Sequence, residues 1–180
     1  MSEKLLKTRE FVLQEKLLSF RDKVKVMTKD KEELGWFVGN IISIGQTFRL
    51  KDLKNNDLMT VHEKVISLRS TYKFFKGGET DDSKLIGSLK QKIVSITPNF
   101  WFEDPNENKM FTMKGNIFKL NYTIQKDGKD IAKIDKKLFK IKDTFGVRIN
   151  PDVDDYTTMM ILGIIIMLQH EHEERARRRR

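Results

Sequence analysis

Short segments in which apolar and polar side chains alternate dominate residues 20–149. Such alternation predicts half-buried strands, because successive side chains of a strand point to opposite faces of a sheet. The segments are 24–26, 36–38, 47–50, 72–74, 100–102, 111–113, 122–124 and 147–149. Glycine, asparagine or proline turns follow several of them, at 76–79, 104–106 and 126–129. Regularly spaced short strands of this kind predict a β-sandwich or a β-barrel.

The pattern changes at residues 156–168, where a predicted helix is apolar on nearly every face. These thirteen residues would extend about 20 Å, whereas a bilayer core is roughly 30 Å thick. Because a helix that is apolar all round must be buried, we expect a core helix, capped by Asp154 or Asp155; a membrane tail anchor is the alternative. The side chains expected in the core are Met160, Ile161, Ile164, Ile165 and Leu168.

The chain also repeats itself. One phrase, with an aliphatic residue, a lysine, a second aliphatic residue and an aromatic residue, occurs at 59–72, 87–100 and 132–145; its lysines are Lys64, Lys92 and Lys137. Residues 39–44 are echoed at 115–120. We therefore expect two related halves, near 20–75 and 96–149, joined by a shared pair of strands. A closed barrel is favoured over an open sheet because closure removes edge strands.

The N-terminal segment is ambiguous on pattern alone. The apolar residues within 4–18 are compatible with a helix stripe, and residues 10–15 are equally compatible with a first strand.

The ordered set of these motifs resembles the LURP-one-related family, which shares its fold with the tubby C-terminal domain and the phospholipid scramblases. The resemblance begins at residues 11–26, continues through 37–40 and the three lysine phrases, and ends with 136–149 and the apolar C-terminal segment. It implies a closed antiparallel β-barrel of about twelve strands around one hydrophobic C-terminal helix, and it makes residues 10–15 a strand. We expect one domain over residues 8–172 and a basic tail over 173–180.

Composition restricts the chemistry. The absence of cysteine excludes disulfides, thiol nucleophiles and thiolate metal sites. The net charge is +9, of which five charges come from the C-terminal arginines Arg175, Arg177, Arg178, Arg179 and Arg180. Since the first residues contain no apolar stretch of signal-peptide length, we expect a cytoplasmic protein that can attach peripherally to membranes.

The richest basic region surrounds the third lysine phrase. Alternation along a strand predicts that Lys133 and Lys137 lie on its outer face, near Lys126 and Lys129 on the preceding hairpin. Arg49 and Lys51 occupy the corresponding hairpin of the first half. Such a ridge could hold lipid headgroups; the alternative is a solvated lysine face, and the repeated lysines could equally serve the fold.

The sequence contains no recognisable catalytic motif. There is no glycine-rich phosphate loop, nucleophile elbow or triad, so we expect no enzyme, cofactor or metal. Residues 150–161 do not match an EF-hand loop, because Asp155 and Ile161 stand where glycine and glutamate are required; whether calcium binds near Asp152–Asp155 stays open. His170 and His172, two residues apart, would point in different directions on a helix.

These observations predict a non-enzymatic binding module that associates peripherally with anionic, phosphoinositide-like membranes through basic strands and the arginine tail. The alternatives are a protein-interaction or structural module that has no lipid role, and scramblase-like lipid handling. The tail lacks the interleaved aromatics of nucleic-acid-binding proteins, so we expect anionic lipid or an unknown protein as partner, no specific nucleic acid, and a monomer.

Overall fold

The computed structural model describes residues 2–14, 23–41, 45–64, 71–92 and 99–178. Within these ranges, twelve antiparallel strands follow one another around a closed barrel, and the first strand pairs with the last. A long helix, α2, occupies the interior. The predicted mainly-β barrel around a C-terminal helix is confirmed.

The strands are β1 (Glu10–Gln14), β2 (Val24–Met27), β3 (Glu33–Ile41), β4 (Gln46–Asp52), β5 (Asp57–Glu63), β6 (Thr71–Lys76), β7 (Leu85–Gln91), β8 (Phe100–Glu103), β9 (Lys109–Asn116), β10 (Asn121–Lys126), β11 (Lys129–Asp135) and β12 (Thr144–Ile149). The helices are α1 (Ser2–Lys7) and α2 (Asp155–Arg178), and two short 3-10 turns lie at Asp82–Lys84 and Ile117–Lys119.

The two halves are visible in the order of strands. Strands β2–β6 of the first half correspond to strands β8–β12 of the second. Strand β2 begins at Val24 and its counterpart β8 at Phe100, while β6 begins at Thr71 and its counterpart β12 at Thr144. Between the two sets the described residues contain one strand, β7, and not the expected pair.

Closure depends on β1, which pairs with both β2 and β12. Leu13 lies opposite Val26 on one side and Phe145 on the other, and all three side chains are buried. Apolar side chains at alternate positions therefore line a continuous interior, as in β12, where Val147 is buried and Arg148 is exposed. The N-terminal ambiguity is resolved by a short helix followed by a strand.

Helix α2 is enclosed along most of its length. Residues 157–171 are all buried, and the five predicted core side chains are at most 1% exposed. Gly163 lets the helix approach the wall, since a Cβ there would lie 2.4 Å from Met59 Cε and 2.6 Å from Phe74 Cε1. The helix has 24 residues, more than the thirteen of the apolar segment, and the expected tail is helical as far as Arg178.

Asp154 caps the start of α2. Its Oδ1 accepts a hydrogen bond from the Thr157 N–H and its Oδ2 one from the Thr157 hydroxyl, both 2.8 Å long. Burial raises the pKa of Asp154, but these hydrogen bonds outweigh it and hold the pKa below its ordinary value. A cap of this kind satisfies helix N–H groups that have no partner within the helix.

The two ends of the barrel differ in their relation to α2, and we call them proximal and distal. At the proximal end, where α2 begins, Arg9 Nη2 donates to the Val153 carbonyl at 2.7 Å. At the distal end, where α2 leaves the barrel, Arg175 Nη2 donates to Gln91 Oε1 at 2.7 Å. Because successive strands run in opposite directions, every odd-numbered strand ends at the distal end. Of the connections that follow odd-numbered strands, β9–β10 and β11–β12 lie wholly within the described ranges.

Candidate functional site

The three repeated lysines all lie at the distal end, at separate positions around the rim. Lys64 follows β5, Lys92 follows β7 and Lys137 lies two residues beyond β11. All three strands are odd-numbered, so positions far apart in the chain lie at the end of the barrel where α2 leaves it. The repetition is also seen in the backbone, because the Lys64 N–H donates to the Thr71 carbonyl and the Lys92 N–H to the Asn99 carbonyl, each at 2.9 Å.

The β11–β12 loop, residues 136–143, carries the densest group of lysines at this end. Lys136, Lys137, Lys140 and Lys142 are exposed, and Leu138, Phe139 and Ile141 between them are half-buried. The loop packs against β12 at Gly146, where a Cβ would lie 2.6 Å from Leu138 Cβ and 2.7 Å from Phe139 Cδ2. This close approach holds the lysines beside the rim of the barrel.

Side-chain hydrogen bonds connect the last turns of α2 to the same rim. Glu171 is 8% exposed; its Oε2 accepts from the Tyr72 hydroxyl at 2.8 Å and its Oε1 from Arg175 Nε at 2.9 Å. Burial, reinforced by the Glu171 charge, raises the pKa of Tyr72 well above its usual value, so the hydroxyl stays a donor. Arg175 is thus part of a half-buried clasp and not of a solvated tail.

Beyond this clasp the helix becomes exposed. Arg177 pairs with Glu174 at 3.3 Å. The Arg178 backbone ends the described helix, and Arg179 and Arg180 lie outside the described residues. His172 stacks on Phe118 with 5.1 Å between ring centroids. Its pKa is lowered, chiefly by burial and further by Lys136, against the opposing effect of Glu173.

Several distal-end lysines have no ionic partner among the described residues. Six of them are exposed and make no ion pair with any residue in the described ranges: Lys64, Lys92, Lys119, Lys137, Lys140 and Lys142. Two acidic side chains of this end, Glu171 and Glu174, are engaged by arginines of α2. The result is a rim on which exposed lysines, unpaired among the described residues, alternate with half-buried apolar side chains.

Comparison with known proteins agrees with this architecture. The LURP-one-related family model matches residues 9–167. The chain belongs to the LURP-one-related family. Uncharacterized protein YxjI of Bacillus subtilis is 20% identical over 166 residues, which cover 92% of this chain and 96% of YxjI. The crystal structure of an Arabidopsis thaliana protein is similar in fold, with a TM-score of 0.61 and 12% identity over 88% of this chain and 89% of that chain.

The expected family is therefore confirmed, and with it the fold. The names of these relatives describe no enzyme. The LURP-one-related family and the barrel fold are consistent with a non-enzymatic module.

The LURP-one-related barrel separates the basic residues that the sequence grouped together. Lys126 and Lys129 flank the proximal β10–β11 hairpin. Lys133 lies on the wall, exposed between buried Ala132 and Ile134, as the alternation predicted. For Lys137 the same prediction is wrong, because β11 ends at Asp135 and Lys137 lies in the following turn, with its N–H bonded to Asp135 Oδ1 at 2.8 Å.

Arg49 and Lys51 are further away still. Both lie on β4, which is five strands from β11 around the twelve-stranded barrel. Lys51 is only 17% exposed at its side chain and pairs with Asp57 at 2.7 Å. The six predicted headgroup residues thus do not form one surface.

The described part of the LURP-one-related chain has neither a metal-binding cluster nor a membrane-spanning helix. Within the described ranges, no group of three or more histidine or acidic side chains could hold a metal ion. Across the same residues, no helix is both long and apolar enough to cross a bilayer.

Proposed function

We propose that the distal end of the barrel binds anionic phospholipid membranes peripherally. The observation that carries this proposal is that six exposed lysines, which make no ion pair with the described residues, lie at the distal end, three of them in the β11–β12 loop. The protein would act as a non-enzymatic module at the cytoplasmic face, where anionic lipids are enriched.

Electrostatics supply the attraction. A lysine near an anionic membrane contributes about 1 kcal/mol, so several lysines on one rim suffice for reversible binding. The half-buried Leu138, Phe139 and Ile141 lie between these lysines, where their exposed edges can contact the acyl region just below the headgroups. Arg177 lies at the same end, and the sequence continues after it with three more arginines.

The proposal keeps α2 inside the barrel. Removing it would expose fifteen successive buried residues, 157–171, and each large apolar side chain among them contributes about 1.5–3 kcal/mol by its burial. Binding through the rim requires no such rearrangement, which distinguishes it from scramblase-like movement of the helix.

The experiment is co-sedimentation with vesicles of neutral phosphatidylcholine alone or mixed with phosphatidylglycerol, at low and physiological salt. A distal variant carries Lys137→Ala, Lys140→Ala and Lys142→Ala. A matched proximal variant carries Lys54→Ala, Lys126→Ala and Lys129→Ala, which removes the same charge from exposed lysines at the opposite end. A third variant ends after Ala176 and retains the Arg175–Glu171 pair.

We expect wild type to bind only the anionic vesicles, and less strongly as salt rises. The distal variant should lose about 3 kcal/mol of binding energy, roughly a hundredfold in affinity, whereas the proximal variant should bind almost as wild type. Equal losses of vesicle affinity in both triple variants would mean that anionic vesicles attract the net charge of the protein and not its distal end. No binding by wild type would reject the proposal and favour a protein-interaction module. Vesicles with a phosphoinositide at matched charge show whether one headgroup is preferred.

A further inference from the structure

A groove of about 490 Å³ runs along the outer wall of the barrel, between β11, β12 and the start of β1. Its surface is mainly apolar, and Ile131, Pro151 and the stems of Lys133 and Arg148 contribute to it. Ile131 is half-buried at a β-bulge of β11, where it lines the groove and also packs against the core. The volume falls within the range of about 300–1,000 Å³ that is usual for small-molecule sites.

The register of β11 and β12 orders the groove along its length. Lys133 lies opposite Arg148, so two cationic side chains sit at one level. Two residues nearer the proximal end, the Asn150 N–H donates to the Ile131 carbonyl at 2.9 Å, and Pro151 lies beyond it. The groove therefore has a basic end and an apolar continuation.

The acidic side chains beside the groove already have partners. Glu10 accepts from Arg148 Nε at 3.0 Å and pairs with Lys29 at 3.3 Å. Asp130 accepts from Gln125 Nε2 at 2.6 Å. Lys133, in contrast, is exposed and makes no hydrogen bond or ion pair through its side chain with the residues that the structure describes. Lys133 is therefore the cation of the basic end that is not paired with a carboxylate of the described residues.

We infer that this groove binds a long-chain carboxylate. Its carboxylate lies beside Lys133 and Arg148, and its hydrocarbon chain follows Ile131 and Pro151 towards the proximal end. The lysine that has no carboxylate partner among the described residues matches one negative charge, and an apolar floor next to it matches an unbranched chain. This site is distinct from the distal rim, since it needs neither the 136–143 loop nor the end of α2.

The test is calorimetric titration of the full-length chain with decanoate below its micelle concentration, compared with octanoate and acetate. We expect saturable binding of decanoate, weaker binding of octanoate by up to about fifteenfold, because two methylenes lose their burial, and no measurable binding of acetate. Lys133→Ala should weaken decanoate binding about fivefold. Ile131→Ser should also weaken it severalfold.

The matched control is Lys114→Ala, which removes an exposed lysine on β9 that does not line the groove and should leave the affinity unchanged. The thermal midpoint of each variant checks that it remains folded. Failure of wild type to bind decanoate, equal affinities for decanoate and octanoate, or equal effects of Lys114→Ala and Lys133→Ala would each overturn the inference.

The membrane proposal and the groove proposal can be rejected independently of each other. The titration contains no vesicles, so absence of decanoate binding leaves membrane attachment untouched. The distal triple variant should bind decanoate as wild type does, even if it no longer sediments with anionic vesicles.

Discussion

The proximal and distal ends of the barrel use their polar residues in opposite ways. At the proximal β4–β5 turn, Asp52 Oδ1 accepts from the N–H groups of Lys54 and Asn56, each at 2.9 Å, and its Oδ2 accepts from the Asn56 side chain. At the distal end, exposed lysines make no ion pair with the described residues. The acidic side chains of the proximal turns hold the backbone of those turns, whereas the exposed lysines of the distal end are left to interact with something else.

The proximal arrangement recurs in the second half. At the β8–β9 turn, Asp104 Oδ1 accepts from the N–H groups of Asn106 and Asn108, at 2.8 and 2.9 Å. The fourth residue of both turns has a positive φ, 67° at Asn55 and 64° at Glu107. Residues 28–32 form a related turn, in which the Thr28 hydroxyl accepts from the Glu32 N–H at 3.2 Å. Repetition at this end therefore has a structural cause that the side chains themselves supply.

The largest effect is expected for α2, which connects the two ends. Ile164→Asp places a carboxylate at a position that is 0% exposed. An unpaired buried charge costs several kcal/mol, comparable to the total stability of about 5–15 kcal/mol of a typical domain. We expect an unfolded chain by circular dichroism and by the dispersion of its NMR spectrum.

The control for that substitution is Ala176→Asp, at an exposed position of the same helix, which should remain folded. If Ile164→Asp folded normally, α2 would not be the common core of the two ends.

An intermediate effect is expected at the proximal turns. Asp52 is 1% exposed, so Asp52→Ala removes the acceptor of part-buried N–H groups and should lower the free energy of unfolding by about 1–3 kcal/mol. Asp104→Ala removes the same hydrogen bonds at a more exposed turn, where water can replace them, and should cost less. Urea denaturation measures both; a larger loss for Asp104→Ala would contradict this explanation.

The contribution of Asp52 should also depend on pH. Burial raises its pKa, but the hydrogen bonds from Asn56 and Lys54 outweigh burial, so the pKa of Asp52 in the folded protein lies below its ordinary value. The ionised form therefore stabilises the fold above the unfolded-state pKa of about 3.9. The difference in stability between wild type and Asp52→Ala should be constant near neutral pH and shrink as the pH falls below about 4.

The smallest effect is expected for the repeated lysines. Their side chains are exposed and unpaired among the described residues, so Lys64→Ala, Lys92→Ala and Lys137→Ala should each change the free energy of unfolding by no more than about 0.5 kcal/mol. A loss well above 1 kcal/mol in the same urea experiment would show that these lysines serve the fold, and would remove the contrast between the ends.

Local pattern predicted the parts of this barrel well. All eight alternating segments lie within strands, and the turns at 76–79, 104–106 and 126–129 lie at or between strand ends, because alternation and turn residues act over a few positions. Periodicity alone does not distinguish a barrel from a sandwich; closure was favoured by the two related halves and then implied by the family resemblance. The extension of α2 beyond Leu168 was missed because the sequence becomes polar there, although the Glu171–Arg175 pair at i and i+4 was a readable signal.

The candidate surfaces were predicted less well. The sequence grouped Lys126, Lys129, Lys133 and Lys137 because they are close along the chain, yet they divide among the proximal end, the wall and the distal end. It treated Lys64 and Lys92 as structural repeats, although both follow odd-numbered strands and therefore lie at the same end of the barrel as Lys137. The alternation of strand direction, counted along the predicted strands, was the signal that could have revealed this shared position.

The sequence alone determined the strands, the turns and a C-terminal segment too apolar to be exposed, because each depends on neighbouring residues and on burial of apolar area. Tertiary structure decided which charges share a surface. In a closed antiparallel barrel the direction of every strand and the register with its partners fix where each side chain lies, and these depend on pairings between residues that are distant in the chain.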